Sequence, residues 1–429
     1  MRLVSVVARK WTVAALAGLT LAGAGCGTTS STQQAAGTQS ASARTASAAA
    51  GTHSATGGAT PSPSASASCS AATAPGVYTA TGGPGQVPKL DAVQFVSAGQ
   101  GWVAGAGRVL ATQNGGRTWT SQYSGSAQVD QVDFTDAAHG WAVGTNALLR
   151  TTDGGATWTA LSEPCGKTID AVHFVTPSLG YAVADGAQVR MTGGVPAAVN
   201  GGMLLTTTDG GSDWTRVASA PGQAQTACFS SPANGFLGTP GKVWHTTDGG
   251  KSWSLSFAEP APSGAVRPSA PDISVLECAG GNAAWVLFLG SGAALGHVPY
   301  LTFATQDARN WRVLFEESYT ESAARPQLHA PDGPGSYPGP FSAISPQAAA
   351  FVGYTPPLGY GAAPLEMAAS GGAKLTKDGN VSGISVPEAV AFISPVQGWI
   401  VGQTLPSGGF VIVATADGGH TWARQYQAR

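Results

Sequence analysis

The tract Thr151-Thr152-Asp153-Gly154-Gly155-Ala156-Thr157-Trp158 recurs along the chain, and a repeated eight-residue turn restricts the fold more than any other feature of the sequence. Near copies occupy 207–214, 246–253 and 415–422, with an Asn variant at 112–119. Residues 305–311 form a copy one residue short, and 368–375 keep Gly371-Gly372 but place Ser370 at the Asp position and Leu375 at the Trp position. Asn114, Asp153, Asp209, Asp248, Asp307 and Asp417 therefore read as structural turn residues. Each side chain can accept backbone N–H groups from the residues that follow, while the adjoining glycines supply positive φ.

A second element precedes each turn: an apolar strand, a short loop, then Gly and an aromatic. Phe95 leads to Gly101-Trp102, Phe134 to Gly140-Trp141, Phe174 to Gly180-Tyr181, Phe229 to Gly235-Phe236 and Phe392 to Gly398-Trp399. Trp285 and Phe351 keep the spacing in two further units, with Ala in place of Gly. Each unit thus reads as four strands, A to D, with the turn between C and D. Four-stranded units repeated along one chain predict an all-β fold, a seven-bladed β-propeller over residues 76–429. Its blades begin near 91, 130, 170, 225, 273, 341 and 388. Degenerate unit six leaves a six-bladed ring with a large insertion as the alternative. Ring closure is also open, because the last unit supplies its own strand D at 423–427 and residues 76–81 stand ready as an added edge or cap.

The turn, Ser/Thr-x-Asp-x-Gly-x-Thr-Trp, resembles the BNR or Asp-box repeat of sialidases and related propellers. Gly-Trp followed by Ala-Val-Gly and then Leu-Leu-Arg-Thr-Thr-Asp-Gly-Gly more closely resembles the photosystem II stability and assembly factor family, over roughly residues 90–429. That resemblance implies a seven-bladed, non-catalytic propeller with a scaffold or assembly role. A sialidase-type exo-glycosidase is the competing expectation. It needs three arginines around a substrate carboxylate, an Asp acid/base and a Tyr nucleophile paired with Glu. In sialidases an Arg with Ile-Pro precedes the first box, yet residues 76–95 contain no Arg, and Arg267-Pro268 falls much later. Glu316, Glu317, Tyr319 and Glu321 read as a solvated acidic run. No nucleophile elbow, phosphate loop or metal-ligand spacing occurs, so no cofactor or metal is expected.

Residues 1–26 read as an export signal of lipoprotein type: Arg2, Arg9 and Lys10, an apolar run from Trp11 to Leu21, then small residues ahead of Cys26, the candidate lipidated residue. A cleaved, unlipidated signal is the alternative, and the position before Ala24 holds Gly23 where a lipobox has Leu. Residues 27–75 are almost entirely Ser, Ala, Thr, Gly and Gln and read as a disordered tether with a reach of about 40 Å. The expected location is the extracytoplasmic face of a bacterial membrane, with the lipid as the sole membrane contact.

Removing Arg2, Arg9, Lys10 and Arg44 from the 21 basic residues leaves 17 against 23 acidic ones, all beyond residue 75, so the folded part carries about −6. Such a balance excludes a nucleic-acid partner. Four cysteines remain after Cys26, and an even count in an exported chain favours disulfides. Of three connectivities, Cys228 with Cys278 is preferred because the two lie in corresponding strands of successive units, leaving Cys69 with Cys165.

In an A-to-D blade the A–B and C–D loops share one face, and here they are short. The B–C hairpins and D–A crossings share the other and carry every large insertion, among them 191–202, 259–271, 290–299, 317–340, 355–364 and 404–409. Ligand-face candidates follow from that asymmetry: Tyr300, Tyr319, Arg325, His329, Tyr337, Tyr354 and Tyr360. The expected partner is a protein or a cell-envelope glycan, bound by a monomer.

Overall fold

In blade two the Thr151 hydroxyl accepts the Gly155 N–H at 2.8 Å and donates to Asp153 at 2.8 Å, while the same carboxylate takes the Thr157 N–H at 2.8 Å and its hydroxyl at 2.7 Å. Gly154 and Gly155 take φ of 72° and 95°, a region closed to most side chains. Two strands are thereby clipped together by a carboxylate whose task is the turn itself. Asp209, Asp248 and Asp417 repeat the arrangement, and Asn114 reproduces it without charge. In the short copy Ala308 stands at φ 59°, and Asp307 caps the Arg309 and Asn310 amides instead.

The computed structural model describes residues 68–69, 76–80, 89–125, 129–145, 147–164, 167–185, 191–192, 195–196, 202–260, 273–290, 298–317, 328–354, 361–406 and 409–427. They form seven antiparallel sheets spanning 92–124, 131–160, 169–216, 226–258, 273–317, 337–381 and 386–427, each with its strands in sequence order, together with a two-stranded ribbon at 191–196. The A strands are Ala92–Phe95, Gln131–Phe134, Ile169–Phe174, Thr226–Phe229, Ile273–Gly280, Tyr337–Ser345 and Val386–Phe392. Successive A strands touch around a closed circuit, the seventh against the first. The protein is a seven-bladed propeller, so blade six is a genuine blade. It begins at Tyr337, four residues before the expected 341, because its A strand is long and carries two bulges.

Each A-strand Phe lies over the Gly that faces it across strand B: a Cβ on Gly140 would stand 2.3 Å from the Phe134 ring. The strand-B aromatic of the preceding blade covers the other side. Trp102 stacks on Phe134 at 3.5 Å, Trp141 on Phe174 at 3.4 Å and Tyr181 on Phe229 at 3.5 Å. The same aromatics bond to the next turn, Trp102 Nε1 donating to the Gly154 carbonyl at 3.2 Å and Trp141 Nε1 to that of Gly210 at 2.9 Å. Closure uses the identical joint, with Trp399 stacked on Phe95 at 3.5 Å and bonded to the Gly115 carbonyl at 3.1 Å. Blade seven therefore keeps all four of its own strands.

In blades one to four the residue before the A-strand aromatic clamps the following blade from a buried position. Gln94 holds both backbone groups of Phe134, the Asp133 carboxylate accepts the Phe174 N–H at 2.6 Å, and His173 Nε2 donates to the Phe229 carbonyl at 2.8 Å. Between blades four and five the clamp is covalent, a Cys228–Cys278 disulfide with a Cα–Cα distance of 5.6 Å. Glu277 accepts the Ala343 N–H at 2.7 Å in the next joint, and the Ser342 hydroxyl that of Phe392 at 3.1 Å in the one after. Reduction of the disulfide, which closes a separation of 50 residues, is expected to lower stability by about 4 kcal/mol. Thermal unfolding of the native chain and Cys228→Ser, with and without reductant, measures it. A reductant effect that persists in the variant would place the stabilisation elsewhere.

Two short strands that precede blade one in sequence lie on the outer rim. Val77–Thr79 pairs antiparallel with Thr157–Thr159 of blade two, and Ser68–Cys69 pairs with Trp214–Thr215 of blade three. The 27–75 tether thus contains two residues in a strand, a departure from its sequence reading. Composition gives no sign of this, because an open strand-D edge offers backbone groups that any extended segment can satisfy.

Candidate functional site

The turn glycines donate to the A–B loop of their own blade, Gly154 N–H to the Ala138 carbonyl, Gly115 to Gly99 and Gly249 to Ala233, each at 2.8 Å. Those two loop types therefore share a face, and the B–C hairpins and D–A crossings share the other. The turn carboxylates carry no open chemistry: the Ser252 hydroxyl and amide, with Thr246, hold Asp248 down at about 2.

On the loop-rich face the sequence candidates divide. Tyr300 and Tyr354 are 3% and 4% exposed, so neither presents a ring to a ligand. The Tyr300 hydroxyl donates to the Gly335 carbonyl at 2.8 Å, which fastens the crossing into blade six. Pro-rich crossings have few backbone donors of their own, and these rings cover them. Tyr337 is half-buried against Tyr354, with ring centroids 5.1 Å apart, and His329 is exposed at φ 50°. Tyr319, Arg325, Tyr360, Cys26 and Cys165 lie outside the described residues, as does the side chain of Cys69.

Four residues before the aromatic position, at the loop-rich end of the A strands, successive blades carry Asp91, Asp130, Asp170, Gln225, Ser274, Gly339 and Glu388. Blades seven, one, two and three thus give the mouth of the ring an acidic arc. Lys89 pairs with Asp91 there, and Gln403 donates to Glu388 at 2.8 Å. Burial pushes the Glu388 carboxyl up to about 8 against the pull of Gln403 and Lys89. No A strand contains an arginine, so the A strands offer no guanidinium to a substrate carboxylate. Nor do the described residues contain a group of three or more His, Cys, Asp or Glu side chains able to hold a metal.

Sequence reading missed Asp133, His173 and Glu277, all at most 3% exposed. A signal was present. The residue before the A-strand aromatic is polar or Cys in blades one to four, at a register whose neighbours are core, and Glu277 holds the same register in blade five. Burial raises Asp133 to about 7 and Glu277 well above the usual carboxylate range, and lowers His173 to about 4. Perturbed acids of this kind often mark active sites. Here each is enclosed between two blades and bonded to backbone, which makes it structural.

Residues 122–272, blades two to four with their borders, match the family model described as photosynthesis system II assembly factor YCF48. No curated protein matches the chain in sequence. Among solved structures, the GH74 xyloglucanase from Xanthomonas campestris is 13% identical with a TM-score of 0.51, covering 82% of this chain and 56% of that one. An ancestral GH74 enzyme is 14% identical with a TM-score of 0.51, at 80% and 55% coverage. The chain spans little more than half the length of these two enzymes, and at such identity they share the fold alone. Turn, blade count and family match agree: the chain is a seven-bladed propeller of Asp-box (BNR) repeats, similar over 122–272 to the photosystem II assembly factor family.

Proposed function

We propose that this protein is a non-catalytic scaffold of the cell envelope, a monomer lipidated at Cys26 and held at the extracytoplasmic membrane face. Its loop-rich face grips a protein or envelope component. The observation that carries this reading is the acidic arc at the mouth of the ring, formed by A strands that contain no arginine, on the same face as every large insertion. A surface of one sign steers and orients a partner of the other, so a basic segment suits it. The family match supports a scaffold role, since the matched description is that of an assembly factor.

Crosslinking in intact cells followed by capture of the propeller is expected to recover a defined partner through the loop-rich face. Asp130→Lys with Asp170→Lys should reduce that capture, while hydrolysis of a fluorogenic sialoside stays at background. Turnover of the sialoside would replace the scaffold by an exo-glycosidase. Cys26→Ala is expected to move the protein from the membrane fraction to the soluble one. Retention of the variant in the membrane would show that the lipid is not the anchor.

A further inference from the structure

Two joints of the ring carry the same pair of glutamines, and only one of them uses it. Between blades one and two, Gln100 Nε2 donates to the Ala137 carbonyl at 3.1 Å. Gln122 donates to the Gly154 carbonyl at 2.9 Å and accepts Trp102 Nε1 at 3.1 Å. The equivalent residues of blade seven are Gln397, two before Trp399, and Gln425, three after Trp422. Gln425 lies over Gly116 of blade one as Gln122 lies over Gly155 of blade two, but farther off. Among the described residues neither amide has a hydrogen-bond partner. The joint stands open as a cavity of about 580 Å³ on the short-loop face, lined by Asn114, Arg117, Gln397, Trp399, Trp422 and Gln425 among others.

The chemistry of the lining is specific. Both indole N–H groups are engaged, Trp399 with Gly115 and Trp422 with the Gly419 carbonyl at 3.0 Å; Trp399 is buried with its face on Phe95, so the half-buried Trp422 is the ring that offers carbon to the cavity. Blade one is the unit with Asn114 in place of the turn Asp, and that amide is engaged with Thr118 at 2.8 Å. No carboxylate therefore lines the cavity, and its one charge is the exposed Arg117, whose guanidinium has no partner among the described residues. Val396, 54% exposed, stands in the A–B loop beside Gln397. An apolar ring, two free amides that both donate and accept, and a guanidinium fork form a small-ligand cleft of ordinary size. The comparable cavity between blades five and six lacks this character, because Gln347 donates to Gln306 at 2.9 Å and Asp307 brings a carboxylate.

We infer that the cleft at the closing joint, on the face opposite the proposed partner surface, binds a saccharide unit. The ring C–H face of the sugar rests on the Trp422 indole, vicinal hydroxyls meet Gln397 and Gln425, and Arg117 takes a further hydroxyl pair or a uronate carboxylate. The protein would then hold a glycan on one face while its partner occupies the other.

Saturation-transfer NMR on the full chain in detergent, with cellobiose, chitobiose and glucuronate as probes, tests this. Saturable binding of at least one probe is expected, weakened by ~10-fold or more in Arg117→Ala and Gln425→Ala. Both side chains are surface groups without partners, so the variants should keep the native melting temperature. Tyr337→Ala, on the opposite face, should leave binding unchanged. A disaccharide response marks a neutral sugar and a glucuronate response an acidic one. Absence of binding by all three probes overturns the inference, as does binding that survives both cleft substitutions. Neither cleft variant should alter capture of the crosslinked partner, so failure here and failure of the scaffold reading are separately visible.

Discussion

Phe134→Ala is expected to lower stability by about 3–5 kcal/mol, the range for loss of a large buried aromatic. The ring is 2% exposed, stacked on Trp102 from blade one, placed over Gly140 of its own strand B and met edge-on by Trp158 at 5.9 Å. Its removal opens a cavity in the joint between two blades, and neither backbone can close it. Gly140→Val should be comparably damaging for the opposite reason, since its Cβ would stand 2.3 Å from the same ring. Denaturant midpoints measure both. Combining Phe134→Ala with Trp102→Ala should cost less than the sum of the two, because both report one stack. A fully additive pair, or a Phe134→Ala cost below about 1 kcal/mol, would show that the stack does not carry the joint.

The second large effect concerns Asp133 and pH. Its carboxyl is 1% exposed and burial raises it to about 7, against bonds from Phe174 and Gln94. A carboxyl raised on folding contributes stability that is present below its unfolded value near 4 and lost as pH rises through about 7. The span from 3.8 to about 7 sets the scale of that loss at up to ~4 kcal/mol. Asp133→Asn keeps an acceptor for Phe174 and cannot ionise. The native chain should lose stability relative to this variant between about pH 4 and about pH 7. His173 works in the other direction: burial lowers it to about 4, so its contribution is lost as pH falls from the ordinary histidine value through 4. The comparison between native chain and variant removes that common term. Parallel stability curves for the two proteins across this range would show that Asp133 does not ionise with folding.

The scaffold was legible because its signals are local. A turn such as Thr151–Trp158 is closed by residues four positions apart, and the Phe-to-Gly-aromatic interval spans one tight hairpin, so both repeat visibly along the chain. Counting them predicted seven blades, with six as the alternative, together with the order of strands and the sorting of loops onto two faces. Blade six resisted, because Ser370 and Leu375 break the turn and bulges shift its A strand.

What only the tertiary structure decided lies between blades. Gln94 meets Phe134, Asp133 meets Phe174 and Trp399 meets Gly115 across 40, 41 and 284 residues. No local pattern encodes such partners, so the sequence showed neither the buried clamps nor the way the ring closes. The candidate site divides in the same manner. The sequence located the large insertions, but whether an aromatic beside them faces solvent depends on what the crossing covers, and Tyr300 and Tyr354 are covered. The open cleft at the last joint was equally hidden. Gln397 and Gln425 match Gln100 and Gln122 residue for residue, and only the spacing between blades seven and one leaves their amides without partners.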